Sequence, residues 1–252
     1  MALVHKIQDH ILIPFGGSSA SVGDISVVGV STTGLFFESE LPLAYVRKAE
    51  HRGLRLRDFP TVVAGEWPEL AEDAMAWRFL ENQLILKCDP NAPLEQWFIE
   101  LYFNYCRAAI ACPSSFVGLP LKQRPDPFNS PRWIFDALMP LPQAHIYDGE
   151  PSEKSFTFSP AKFIKVGFCF WTGRRIFALE IDDPRRSDGP SRAEKDARLT
   201  RAGVSVIHLA LDEVKHPEAQ ARIGQLPDEI THFWMFAETL RRQNPFDYAA
   251  GA

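Results

Sequence analysis

The longest ordered pattern of apolar and polar positions runs from residue 163 to 209. FIKVGFCFW and IFALEID alternate with the period of two expected of strands, and Thr172-Gly173 between them predicts a tight turn. In the first strand Lys165, Gly167 and Cys169 share one face, with Val166, Phe168 and Phe170 on the other; in the second, Ala178, Glu180 and Asp182 share a face. Ser191-Arg-Ala-Glu194 matches a capping box, so a helix starts there, and Gly203 suits the left-handed position after it. VSVIHL, residues 204–209, follows as a third strand. Strand, helix and strand in succession predict a parallel crossover that lays the third strand beside the second.

The remaining chain divides at a cluster of breakers. Apolar runs at 10–14, 25–30, 35–37 and 61–63, separated by Gly, Ser and Pro, predict a β-rich N-terminal module over 1–90. Gly16-Gly17-Ser18-Ser19 lacks the Lys-Ser/Thr ending of a phosphate loop and reads as a turn. Helical spacing begins at Pro68 and takes in Leu70, Ala71, Ala74, Trp77, Phe79 and Leu80. Asp89-Pro-Asn-Ala-Pro93 then marks the boundary of a second domain, 91–252. Pro93 suits the first turn of a helix to about Ala111, with Trp97, Leu101, Tyr105 and Ala108 recurring along it. Asn129-Ser130-Pro131 starts a short helix to Leu138, residues 141–147 read as a strand, and two further helices follow Pro217 and Pro227.

Composition narrows the class. With 46% hydrophobic and 12% aromatic residues, 252 residues can bury one large core or two smaller ones. Cys88, Cys106, Cys112 and Cys169 show no Cys-x-x-Cys pairing and read as buried free thiols. There is no apolar run of about 18 residues and no basic leader followed by an apolar core, so the expectation is a cytoplasmic protein without a membrane span. A net charge of -5 gives no global attraction to nucleic acid, so such contact needs a local patch. Residues 174–201 supply a mixed one, with eight Lys/Arg and six Asp/Glu. Arg47, Lys48, Arg52, Arg55 and Arg57 form a second, interrupted by Glu50 and Asp58, that reads as a solvated face. His145, alone in its strand, reads as structural.

If the two strands pair as a hairpin, one arrangement gathers Lys165, Glu180 and Asp182 around the backbone gap left by Gly167. Two carboxylates and an ammonium can bind a divalent ion and a phosphate together, because hard cations prefer carboxylate oxygen and Lys offsets developing charge. Acids that merely end a strand and meet the arginines after it would give the same pattern. Glu95, in the first turn of its helix, interacts favourably with the helix N-terminus.

Phe163-x-x-Val166-x-Phe168, then Phe177-Ala-Leu-Glu-Ile-Asp182, a basic loop, Asp196-x-x-Leu199-x-x-x-Gly203 and Val204-x-Val206 together resemble the very-short-patch-repair-like branch of the PD-(D/E)XK nuclease superfamily. The resemblance covers about residues 93–240. It implies an α/β (α+β) restriction-endonuclease-like fold, a mixed sheet flanked by helices, and metal-dependent hydrolysis of nucleic-acid phosphodiesters. On this resemblance Glu180 matches the family's acidic residue, and Asp182 stands where many members have Lys and this branch often has Asp. Glu95 falls where an early helix often carries Glu, and Asp196 matches a helix acid beside the sheet. It makes Glu180, Asp182 and Asp183 the expected ligands of Mg²⁺ or Mn²⁺, with Lys165 and Glu95 completing the catalytic set. Arg174, Arg175, Arg185, Arg186 and Arg192 become the expected contacts to DNA or RNA.

One position departs from the family's pattern. Its first-strand metal-binding Asp is replaced by Gly167, which removes a ligand and a negative charge unless Asp183 or Glu95 takes its place. Two functions are therefore expected in parallel. One is a nuclease-fold protein acting on DNA or RNA with a weakened metal centre, in prokaryotic defence, mobile-element biology or repair. The other is a catalytically inactive nuclease-fold subunit, with no cofactor, that binds nucleic acid or a protein partner in a larger assembly.

Overall fold

The helix headed by Pro93 and the hairpin strands of 163–182 meet through aromatic side chains. A computed structural model describes residues 10–16, 25–30, 35–38, 43–47, 53–59, 76–111, 134–148, 157–158, 162–182, 192–211 and 216–232. The strands are β1 (His10–Pro14), β2 (Ile25–Val30), β3 (Leu35–Glu38), β4 (Leu43–Arg47), β5 (Leu141–Tyr147), β6 (Thr157–Phe158), β7 (Phe163–Trp171), β8 (Ile176–Asp182) and β9 (Val204–Ala210). The helices are α1 (Ala76–Ile85), α2 (Pro93–Ala111), α3 (Arg192–Arg201), α4 (His216–Ile223) and α5 (Asp228–Thr231). Among the described residues no helix is long and apolar enough to cross a membrane.

The central sheet is mixed, in the order β5-β7-β8-β9. β7 is antiparallel to both β5 and β8, while β9 runs parallel to β8 after the α3 crossover, as the strand-helix-strand succession predicts. Two smaller sheets pair β1 with β4, and β3 with β2 and β6. The N-terminal runs at 10–14, 25–30 and 35–37 are strands; β4 was not expected, and residues 61–63 lie outside the described residues. β2 of the N-terminal stretch pairs β6 at Ile25↔Phe158.

Burial explains why α2 sits where it does. Phe98 lies 4.5 Å from Phe168 and Tyr102 lies 5.6 Å from Phe170, ring centroid to centroid. All four are buried, and each such ring stabilises the fold by roughly 2–3 kcal/mol relative to exposure. The Tyr102 hydroxyl donates to Leu138 O at 2.9 Å, and burial raises its pKa, so the phenol keeps its proton. Phe15, Leu56, Leu80 and Leu84 join the same hydrophobic cluster, so packing runs across the breakers at 89–93. Cys88, Cys106 and Cys169 are buried free thiols whose pKa values burial pushes up, which keeps them protonated; Cys112 lies outside the described residues.

Residues 53–59 run as a strap along this core. Leu54 N donates to Trp171 O, Leu56 N to Ala137 O, and Met139 N to Leu54 O, each at 2.9 Å. This pairing accounts for two departures from expectation. Residues 137–139 cannot continue the helix expected to Leu138, because their backbone bonds the strap; residues 134–136 form one 3-10 turn instead. Arg55 and Arg57 are not a solvated face. Arg55, 5% exposed, donates to Asp136 O at 2.6 Å, and Arg57 pairs with the Asp136 carboxylate.

Gly53 and Gly203 test how tightly the strap is seated, since both have positive φ, +71° and +77°. A β-carbon at Gly203 meets nothing within 4 Å, whereas at Gly53 it would lie 2.7 Å from Trp171 O and Thr172 C. Gly203→Ala is expected to lower stability by about 1–2 kcal/mol, the left-handed strain alone. Gly53→Ala adds overpacking against the hairpin of about 1–3 kcal/mol. Urea denaturation of the two variants measures the difference.

Candidate functional site

The hairpin turn fixes which residues of β7 and β8 face each other. Thr172 N donates to Arg175 O at 3.0 Å, Arg175 N donates to Thr172 Oγ1 at 3.1 Å, and Gly173 supplies the positive φ of 90°. The strands leave this turn paired from Trp171↔Ile176 to Phe168↔Leu179. Cys169 lies against Ala178, so the face of Lys165, Gly167 and Cys169 is also the face of Glu180 and Asp182. Gly167 does stand beside Glu180, but it is no gap. A β-carbon there would lie 3.0 Å from Leu179 O and 3.9 Å from Glu180 Cα, so the glycine permits a close approach of two backbones.

Helix α3 covers this face and brings cations to the acids. Lys195 Nζ lies 2.6 Å from Glu180 Oε1, with side-chain exposures of 24% and 20%. Arg192 reaches Asp182 Oδ2 at 3.2 Å, and Arg198 holds Asp148 Oδ2 at 2.8 Å. Positions 192, 195 and 198 recur at three-residue spacing and so line one side of the helix. From β9, His208 stands opposite Glu180 in the parallel register. Its Nδ1 lies 3.3 Å from Asp182 Oδ1 and its Nε2 lies 3.0 Å from Asp196 Oδ2. Carboxylates only accept, so a neutral ring donates to one of them and a doubly protonated ring to both.

The expected residues divide between this cluster and other places. Glu180, Asp182, Arg192 and Asp196 come together in it. Lys165 shares their face but stands opposite His145 in the β5–β7 register. Glu95 is buried and accepts from the Gln143 side chain, Gln143 being a non-glycine residue at positive φ, 50°. β5 lies two strands from β8, or about 10 Å, so Glu95 is placed at Gln143 and not with Glu180. Arg174 and Arg175 are exposed at the hairpin turn, and Arg175 lies 3.8 Å from Glu229. Six residues of strand, about 20 Å, separate that turn from Asp182. Asp183, Arg185 and Arg186 lie outside the described residues.

Lys195 and His208 were not expected in the site. The signal for Lys195 was its place three residues after Arg192 in a capped helix. His208 falls at an alternate position of the third strand, on the same face as Val206.

Unmatched polar atoms are concentrated here. Glu180 Oε1, Asp196 Oδ1, Asp148 Oδ1 and His145 Nε2 are buried without a hydrogen-bond partner, and the Lys195 ammonium approaches Oε1 as an ion pair outside hydrogen-bond geometry. Carboxylate oxygens without donors suit a hard divalent ion in kind. Among the described residues no group of three or more His, Cys, Asp or Glu could hold an ion by itself. Mg²⁺ is commonly held by one or two carboxylates together with water and substrate phosphate; Glu180 meets that smaller requirement with an unmatched oxygen, and Asp182 beside it as a carboxylate whose oxygens already face Arg192 and His208.

His145 gives this face a measurable acid response. Burial, with the Lys165 charge beside it, pushes the imidazole down to about 4. The folded chain then holds the ring neutral while the unfolded chain, near about 6.5, takes up a proton. The resulting stability is fully present above that value and is lost as pH falls through the folded one. His145→Gln is expected to remove roughly 2–3 kcal/mol of the stability loss between pH 7 and pH 4. Urea midpoints measured across that range check it.

Compared with protein-family models, with curated proteins and with solved structures, this chain has no significant match.

Proposed function

We propose that this chain is a nuclease-fold protein acting on DNA or RNA, with phosphodiester hydrolysis centred on Glu180 and Asp182. The observation that carries the reading is the pairing of Glu180 with Lys195 across 2.6 Å, on the sheet face that also holds Asp182, with Asp196 facing it from α3. The mixed sheet with α2 on one face and α3 on the other agrees with the restriction-endonuclease-like architecture that the resemblance implies.

Each residue has a task in this reading. Glu180 and Asp182 would hold Mg²⁺ or Mn²⁺, which when bound supplies an activated water and a counter-charge for phosphate. Lys195 places an ammonium beside Glu180, where it offsets charge developing on a phosphoryl oxygen. Arg192, 58% exposed at its side chain, is in position to meet backbone phosphate. Lys165 and Glu95 lie further off, Lys165 opposite His145 and Glu95 accepting from Gln143.

A second reading is favoured by Gly167 and by the ion pairs themselves. With the first-strand acid missing and both remaining acids engaged by Lys195, Arg192 and His208, the same scaffold serves as a catalytically inactive subunit that binds nucleic acid or a protein partner.

Incubation of the full chain with DNA and RNA in Mg²⁺ or Mn²⁺ separates the readings. The first expects cleavage that Glu180→Ala and Lys195→Ala each reduce by at least about a hundredfold; cleavage that survives Glu180→Ala sinks it. The second expects no cleavage but binding that weakens steeply with salt and on Arg192→Ala.

A further inference from the structure

We propose that His208 is a positioning residue of this site, setting the Asp182 carboxylate through Nδ1 while Nε2 anchors the ring on α3. The inference rests on the reading of Glu180 and Asp182 as the acids of a hydrolytic centre.

Three observations carry it. First, the parallel β8–β9 register sets His208 directly beside Glu180, so its side chain emerges on the face of both acids. Second, the two oxygens of Asp182 are held from two different elements, Oδ2 by Arg192 of α3 at 3.2 Å and Oδ1 by His208 of β9 at 3.3 Å. Third, the ring is itself held at its far nitrogen by Asp196, at 3.0 Å. Arg192 is a long side chain more than half exposed, and an exposed ion pair of that kind restrains its partner weakly. The imidazole is short, has two torsions and is 21% exposed, so it is the firmer of the two holds on Asp182.

The two ring contacts can be separated chemically. An Asn amide nitrogen occupies the place of Nδ1 and can still meet Asp182, whereas a Gln amide nitrogen occupies the place of Nε2 and can still meet Asp196. A purely structural histidine tying α3 to β9 is replaced best by Gln. A residue that positions Asp182 is replaced best by Asn.

The test is calorimetric titration of the full chain with Mn²⁺ alone, with thermal unfolding measured in parallel. His208→Ala is expected to weaken Mn²⁺ binding by about ten- to a hundredfold, as loss of a partner behind a metal ligand does. His208→Asn should return affinity to within a few-fold of the unaltered chain, while His208→Gln stays weak although its unfolding temperature is the higher of the two. Equal affinities of the Asn and Gln variants, or His208→Ala binding like the unaltered chain, overturn the positioning role and leave the hydrolytic reading standing. Absence of Mn²⁺ binding to the unaltered chain, or binding that Asp182→Asn leaves unchanged, overturns both.

Discussion

The geometry of the candidate site depends on how a nearly all-polar helix is held to a sheet. Helix α3 reads RAEKDARLTR and contributes one fully buried apolar side chain, Leu199. A helix with so narrow an apolar stripe is not fixed in rotation by packing alone. Its rotation is set instead by Arg192 on Asp182, Lys195 on Glu180, Asp196 on His208 and Arg198 on Asp148. The bonds that orient the helix are therefore the bonds that orient the acids. A change that discharges one carboxylate also loosens the element that carries its neighbours, so effects at these positions will be strongly non-additive.

Gly167 joins two facts that the sequence presents as one. It stands where a carboxylate is expected, and it is the point where β7 comes close enough to β8 that a β-carbon would press on Leu179 O at 3.0 Å. A side chain placed there needs the Leu179 carbonyl to give by a few tenths of an ångström. A position without a carboxylate and a close approach of the two strands thus go together. The cluster draws its acids from β8 and α3, balanced by cations that arrive mainly from one helix.

Much of the scaffold was legible because its signals are local. The alternation in 163–171 and 176–182, Pro93 at a helix start and Gly203 after a helix end each depend on a few neighbouring residues, and each appears in the folded chain. The partners of the acids depend on relations no short window contains. Lys195 reaches Glu180 because of the rotation of α3, and His208 reaches Asp182 because of the β8–β9 register. Lys165, on the anticipated face, stands opposite His145 in the β5–β7 register, a relation that likewise spans distant stretches of the chain. Glu95 was legible as a helix-terminal acid; its contact with Gln143 required a left-handed backbone at a residue whose type does not announce it. Arg55 and Arg57 read as surface charge because Asp136 lies far along the chain.

That last separation bears on how the protein is made. The strap at 53–59 leaves the ribosome before its partners: Arg55 reaches its acceptor across 81 residues and Leu54 awaits the carbonyl of Trp171. Contacts of such long range close late, since the intervening chain must first give up its freedom. Until the 163–182 hairpin emerges, Leu54, Leu56 and Phe59 have no finished surface to cover, and the nascent chain carries that apolar segment exposed. Seating the strap therefore waits for the hairpin, and over that interval Leu54, Leu56 and Phe59 lack the cover they have in the folded chain.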